Sequence, residues 1–337
     1  MFGKTVKRIL VALYFLLALP ATGYSTEKIR ALATFSILGD MVKRIGGEDV
    51  VVTTLVGPDG DTHVYRPTPA AAKAMSEANL LIVNGLGFEG WLDRLVEVSG
   101  FDGNRVVATT GIEAIPYEED DTHDEHSEDK HDEHSEDKHD EHSEVKHAEG
   151  KHQDDHASHD HGAFDPHAWQ SLANALIYVN NITAALAQIA PDKATIFYKN
   201  RATYVAEVKK LDKKIRKMVA RLPQNRRIVV TSHDAFQYFG RDYGLTFLAP
   251  VGLSTDSEAS AQDVAHLIKE MKAKDISAVF VENITDPRLL QQIAKETGVA
   301  VGGTLYPGAL SGPNGPAPTY LKMIHHNAMM LTRALGS

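Results

Sequence analysis

The stretch PDKATIFYKNRATYVAEVKKLDKKIRKMVARL (191–222) organises the reading of this 337-residue chain. Pro191 and Asp192 suit a first helical turn, where proline's missing N–H costs nothing. Apolar side chains then recur at Phe197, Tyr204, Val208, Leu211, Ile215, Met218 and Leu222. Steps of three, four and seven put them on one helical face, and Lys209, Lys210, Lys213, Lys214 and Lys217 cover the other. The spacing predicts a helix of about 45 Å at 1.5 Å per residue, a stiff strut with a solvated lysine face.

Working outward, residues 169–222 contain no strand signal, but both flanks alternate strands with helices. Upstream, 29–33, 50–56, 79–84 and 105–108 read as strands bounded by Gly, Pro or Asp, with helical patterns at 37–45, 68–77 and 88–98. Downstream, strands are expected at 227–231, 245–248, 278–282 and 299–303, with helices at 235–243, 261–272 and 287–297. This alternation predicts an α/β fold: two Rossmann-like lobes with parallel sheets, joined by the long rigid helix. The expected division is a signal peptide at 1–25, an N-terminal lobe at 26–168, a helical segment at 169–222 and a C-terminal lobe at 223–337.

The signal peptide rests on Lys4, Lys7 and Arg8, an apolar run over 9–19, then Pro20 and the small residues Ala21, Thr22 and Gly23. The run is shorter than the roughly 20 apolar residues that span a bilayer, so a soluble protein exported to the periplasm is expected. The chain has no cysteine, which excludes a disulfide scaffold, thiolate zinc sites, a Cys nucleophile and a lipidated N-terminal Cys.

The formal charge is −10, with 17 histidines. Between Glu118 and His161, 19 acidic residues and 4 lysines give −15, so the rest of the mature chain is close to neutral. A nucleic-acid partner, which requires a basic face, is excluded as the main function. The octad HDEHSEDK at 131–138 is repeated at 123–130 and, with one change, at 139–146. The 117–162 stretch holds His123, His126, His131, His134, His139, His142, His147, His152, His156, His159 and His161, and almost no apolar residue. It is expected to be a disordered, acidic, His-rich loop that gathers metal at many weak sites, because imidazole and carboxylate together suit Zn(II), Cu(II) and Ni(II).

Six histidines lie outside the loop, and three stand in telling contexts. His63 is in GPDGDTHVYRPTP (57–69), just after a predicted strand. His167 is in FDPHAWQS (164–171), where the acidic loop gives way to a helix. His233 is in TSHDAFQYFG (231–240), again after a strand. Ligands of open α/β sheets bind beyond the carboxyl ends of strands. His63 and His233 occupy that edge in different lobes, so a metal ion between the lobes is the expected ligand. His325 and His326 are adjacent on an amphipathic helix and read as structural or solvated; His266 reads as exposed, and Trp91 and Trp169 as packing residues.

These motifs, with the tail TLYPGALSGPNGPAPTYLKMIHHN (304–327), resemble the metal-binding solute-binding proteins of ABC importers, the cluster A-I or cluster 9 family. Order and approximate spacing match over about residues 27–335, and four motifs in order are far more specific than any one. The similarity is greatest to zinc-uptake members, which carry an acidic His-rich loop at this position. The resemblance implies two lobes around one metal cleft, with Zn(II) as the transported ligand. It also implies delivery to an ABC permease of the inner membrane by a monomeric carrier, with a periplasmic zinc chaperone as a candidate partner of the loop. His63, His167 and His233 match the family's first three ligand positions. Manganese-type relatives tend to have Glu at the third, and a harder, oxygen-rich set suits Mn(II).

At the fourth position the chain departs from the pattern. Relatives often have an Asp in a Y-S-D-A-L-like run, whereas this run is Tyr306-Pro307-Gly308-Ala309-Leu310. Two arrangements remain open: three histidines plus water, or a carboxylate recruited from Asp61 or Glu282. No enzyme is expected, because a zinc hydrolase needs a base beside the bound water and no HExxH or paired-carboxylate motif is present. The alternatives carried alongside zinc import are manganese or another divalent metal, and a periplasmic zinc buffer or adhesin-like protein.

Overall fold

A computed structural model describes residues 27–117, 164–274, 276 and 278–336. The expected signal peptide and all eleven histidines of the acidic loop lie outside these residues.

Strands β1 (Ile29–Phe35), β2 (Val50–Val56), β3 (Leu80–Val83) and β4 (Asn104–Val107) form a parallel sheet of order β2-β1-β3-β4. Helices α1 (Ser36–Gly46), α2 (Pro69–Ser76) and α3 (Leu92–Ser99) connect them. After α4 (Leu172–Ile189) and α5 (Ala194–Val219), a second parallel sheet repeats the topology as β6-β5-β7-β8. Its elements are β5 (Ile228–Val230), α6 (Gln237–Tyr243), β6 (Thr246–Leu248), α7 (Ala261–Ala273), β7 (Ala278–Glu282), α8 (Arg288–Thr297), β8 (Ala300–Leu305) and the closing α9 (Tyr320–Leu335). The two-lobed α/β expectation holds, and most predicted elements lie within two residues of their observed ends.

Parallel strands flanked by helices on both faces bury alternate side chains in different cores. In β1, Ala31, Ala33 and Phe35 enter the large central core, while Leu32 packs with α2 and α3 on the opposite face. β7 behaves alike: Ala278 and Phe280 face the central core, and Val279 faces the α7–α8 side. That central core runs unbroken from the first sheet through α1, α4, α5 and α9 to Phe280 and Leu305 of the second. The lobes therefore share one apolar interior.

The predicted strut is α5. Its 26 residues correspond to about 39 Å, shorter than expected because Pro191–Lys193 forms a separate 3-10 turn before it. Phe197, Tyr204, Val208 and Ile215 are buried, and the five lysines are exposed. α5 packs against α1, α4, α6 and α9, so it backs both lobes.

Candidate metal centre

His63, His167 and His233 come from three loops at the carboxyl edges of the two sheets. The loop after β2 carries His63, and two contacts fix it: the Trp91 Nε1–H donates to the Thr62 carbonyl at 2.9 Å, and the His63 N–H to Asp61 Oδ1 at 2.9 Å. Phe164 pairs with Pro116, anchoring the strand-like approach to His167, and a 3-10 turn and α4 follow. His233 directly follows β5 and bridges to Val251.

The three rings converge. Their centroids lie 5.3, 5.3 and 5.6 Å apart, and one ligand nitrogen of each lies within 4.8 Å of the others. His63 Nε2 and His167 Nε2 are 3.3 Å apart. Zn–N bonds of about 2.0–2.1 Å in a tetrahedron place neighbouring nitrogens about 3.3 Å apart, so this spacing matches one edge of such a site. His167 and His233 are buried, and His233 Nε2 is an interior ring nitrogen with no hydrogen-bond partner. A buried unpaired acceptor costs stability unless something occupies it.

Carboxylates stand behind two of the rings. His167 Nδ1 meets Asp165 Oδ1 at 2.8 Å, and His233 Nδ1 meets Glu282 Oε2 at 2.6 Å. An Nδ1–H donated to a carboxylate leaves the Nε2 lone pair free for a metal and fixes the ring. Burial holds His63 well below the usual imidazole range, and the nearby His167 and His233 add to it. His167 is likewise lowered, by burial and then His233. For His233 burial is the largest influence and acts downward, but Glu282, Asp61 and Asp234 together outweigh it and the net direction is up. Burial pushes Asp165 up to about 7.

The two carboxylates considered as fourth ligands are engaged elsewhere. Glu282 Oε1 accepts from the Ser232 and His233 N–H groups at 3.1 and 3.2 Å, and its other oxygen faces His233 Nδ1. Asp61 uses one oxygen for the His63 N–H and the other for Thr255 Oγ1 at 2.5 Å. Neither belongs to the converging cluster. A Cβ on Gly308 would meet Ile284 and Trp169 at ordinary contact distance, 3.8 Å. Among the described residues the other histidines stay apart: His266 is exposed, His325 Nε2 meets Lys214 Nζ, and His326 Nε2 meets the Thr304 carbonyl.

Two supports escaped the sequence reading: Glu282 as a backing group and Trp91 as the brace of the His63 loop. One signal was present. Asp61-Thr62-His63 and Asp165-Pro166-His167 share a D-x-H pattern, and in both the aspartate accepts the N–H two residues on, an Asx turn that presents the histidine.

Residues 32–334 match the family model described as "Zinc-uptake complex component A periplasmic", ZnuA. The chain belongs to this family. It is 30% identical over 312 residues to the iron-binding protein YfeA of Yersinia pestis, covering 93% of this chain and 88% of that protein. To the manganese-binding lipoprotein MntA of Bacillus subtilis (strain 168) it is 31% identical over 314 residues, covering 92% and 90%. The solved periplasmic zinc binding protein TroA from Treponema pallidum superposes with a TM-score of 0.76 at 25% identity, covering 91% of this chain and 99% of that one. As a member of this family the protein is a periplasmic metal-binding component of ABC-type metal import, a class of solute-binding transport proteins and not of enzymes.

Proposed function

We propose that the protein captures Zn(II) in the periplasm on His63, His167 and His233 and hands it to a membrane permease. The observation that supports zinc is the donor set: three imidazoles converge with one edge at tetrahedral spacing, and among the described residues no carboxylate oxygen stands with them. Nitrogen-rich sites suit Zn(II), whereas Mn(II) prefers oxygen. Relatives named for iron and manganese make metal choice the point to test.

In this reading Asp165 and Glu282 hold His167 and His233 with Nε2 toward the ion, and an exogenous oxygen completes the sphere. His63 and His167 come from the N-terminal side and His233 from the C-terminal side, so the ion ties the lobes together. The His-rich 117–162 stretch gathers zinc weakly and feeds this site, from solution or from a chaperone.

Equilibrium titration of the protein with His63, His167 and His233 all changed to Ala tests the assignment. Loss of the single tight site, with weaker sites kept, is expected. A tight site that survives, or one from which equimolar Mn(II) displaces Zn(II), would sink it.

A further inference from the structure

The lysine face of α5 has no part in the metal centre. Lys209, Lys210, Lys213, Lys214 and Lys217 are all exposed, and none forms an ion pair among the described residues. They recur every fourth residue, so successive groups stand about 6 Å apart along one side of the helix. The two acids of α5 are already engaged: Glu207 pairs with Arg44, and Asp212 with Arg216 at 3.0 Å. The helices packed against α5 add no compensating charge. α4 has no charged residue, and α9 has Lys322 and Arg333 but no acid. Asp40 of α1 accepts the Tyr320 N–H, and Asp242 of α6 pairs with Arg241. Lys214 Nζ lies 2.6 Å from His325 Nε2, and burial, then Lys214 and His326, hold that imidazole below its usual range. Five uncompensated cations on one rigid face repel one another, so the face favours a polyanion.

The chain supplies a polyanion itself. Residues 118–163 carry 19 acids against 4 lysines, and the formal charge of −10 leaves +5 for everything else. From Asp124-Glu125 to Asp140-Glu141 the acids come as pairs every fourth residue, the same interval as the lysines. The antiparallel bridge between Pro116 and Phe164 holds the ends of this segment side by side. Half of it, about 23 residues, spans up to roughly 75 Å, well beyond the length of α5. A tethered partner also acts at an effective concentration of about a millimolar, which a free polyanion must reach unaided.

We propose that the lysine face of α5 is the docking site of this chain's own acidic segment, residues 118–163, in its metal-free form. Metal and lysines compete for the segment. Each Zn(II) taken up on its histidines and carboxylates adds two positive charges, and a loaded segment leaves the face. The docking needs no metal; its release by zinc rests on the metal-gathering reading above.

The chain has no cysteine, so spin labels at Ser135→Cys in the segment and at Ala206→Cys, one turn before Lys210, report that separation alone. Double electron–electron resonance on the metal-free full chain, diluted with unlabelled chain, should show a short-distance population. Changing the five lysines to Gln, which keeps helix propensity, should cut that population at least about fivefold while far-UV circular dichroism stays the same. Saturating zinc should cut it likewise, and salt on the order of 0.5 M should weaken it because exposed charges are screened. The same distance distribution with lysine and with glutamine would overturn the docking, whatever zinc does. A population lost with glutamine but unmoved by saturating zinc would overturn the competition with metal. Lysine-dependent co-sedimentation with phosphatidylglycerol vesicles, without a short-distance population, would give the face to a membrane and overturn the proposal.

Discussion

Glu282→Gln is the sharpest test of how the centre is built. The glutamine keeps a carbonyl oxygen for the Ser232 and His233 N–H groups, which Glu282 Oε1 accepts at 3.1 and 3.2 Å. It also sets an NH₂ group where Oε2 lies 2.6 Å from His233 Nδ1. Two donors cannot face each other, so Nδ1 must become the acceptor and the ring proton moves to Nε2, the nitrogen needed by the metal. Loss of such a backing group costs about 10–100-fold in metal affinity, or about 1.4–2.8 kcal/mol. Competition against a fluorescent zinc indicator reads that loss.

Proton release separates this mechanism from general damage. The pKa of His233 is raised, so it keeps its proton to higher pH, and zinc affinity falls as pH drops through that raised value. His63 and His167 are lowered and already neutral there. Zinc binding just below neutral pH should therefore draw protons from His233 and from Asp165, whose carboxyl is pushed up to about 7, and none from His63 or His167. In Glu282→Gln, burial of His233 is opposed only by the more distant Asp61 and Asp234, so its share of that release should shrink, as calorimetry in buffers of different ionisation enthalpy will show. Affinity within twofold of the original, or unchanged proton release, would refute the orienting role.

Trp169→Ala should lower the unfolding free energy by about 3–5 kcal/mol, the usual cost of truncating a core tryptophan. The indole is fully buried against Phe35, Phe88 and His167 and donates to the Pro307 carbonyl at 2.7 Å. Urea denaturation measures it, and a loss under about 1 kcal/mol would contradict the packing. Gly308→Asp adds a carboxylate where a Cβ meets only ordinary contacts; the Kd ratio of Mn(II) to Zn(II) should shift at least tenfold toward manganese, read by competition titration. Deleting residues 118–162 should lower total bound zinc by elemental analysis while keeping one tight equivalent, and loss of that equivalent would make the segment part of the tight site.

The fold was legible in the sequence because strands and helices rest on local periodicity, and the convergence of the three histidines because each sits in a distinctive motif. Strand runs such as Val50–Val56 and Ala278–Glu282 fall at their expected bounds because they are apolar and β-branched between clear breakers. The three histidines stood out because each occupies a loop at the end of a motif. What stayed hidden depends on tertiary approach. Glu282 lies 49 residues from His233 in sequence, and nothing local distinguishes a carboxylate that binds a metal from one that holds its ligand. The brace from Trp91 to the Thr62 carbonyl likewise spans 29 residues. The strut was overestimated because Pro191 can open either an α-helix or a 3-10 turn, and the apolar pattern does not separate them.

The loop that carries His63 belongs physically to both lobes. Asp59 adopts a left-handed φ of 54°, which aspartate tolerates in a tight turn. From there its N–H donates to the Leu310 carbonyl at 2.8 Å, and its carboxylate accepts from Asn283 Nδ2 at 2.9 Å and from the Gly312 N–H at 3.3 Å. Asp61 adds the contact with Thr255. Three of these four hydrogen bonds have a carboxylate acceptor and are worth about 1.5–3 kcal/mol each, the fourth about 0.5–1.5, so the latch sums to roughly 5–10 kcal/mol. Swinging the whole lobes apart would instead strain the single apolar core that α5 and α9 carry across both sheets, with each fully buried side chain worth about 1.5–3 kcal/mol. Unlatching the His63 loop is therefore the cheaper way to open the centre. It removes one imidazole from the cluster while His167 and His233 stay on their buried carboxylates, without unpacking either lobe.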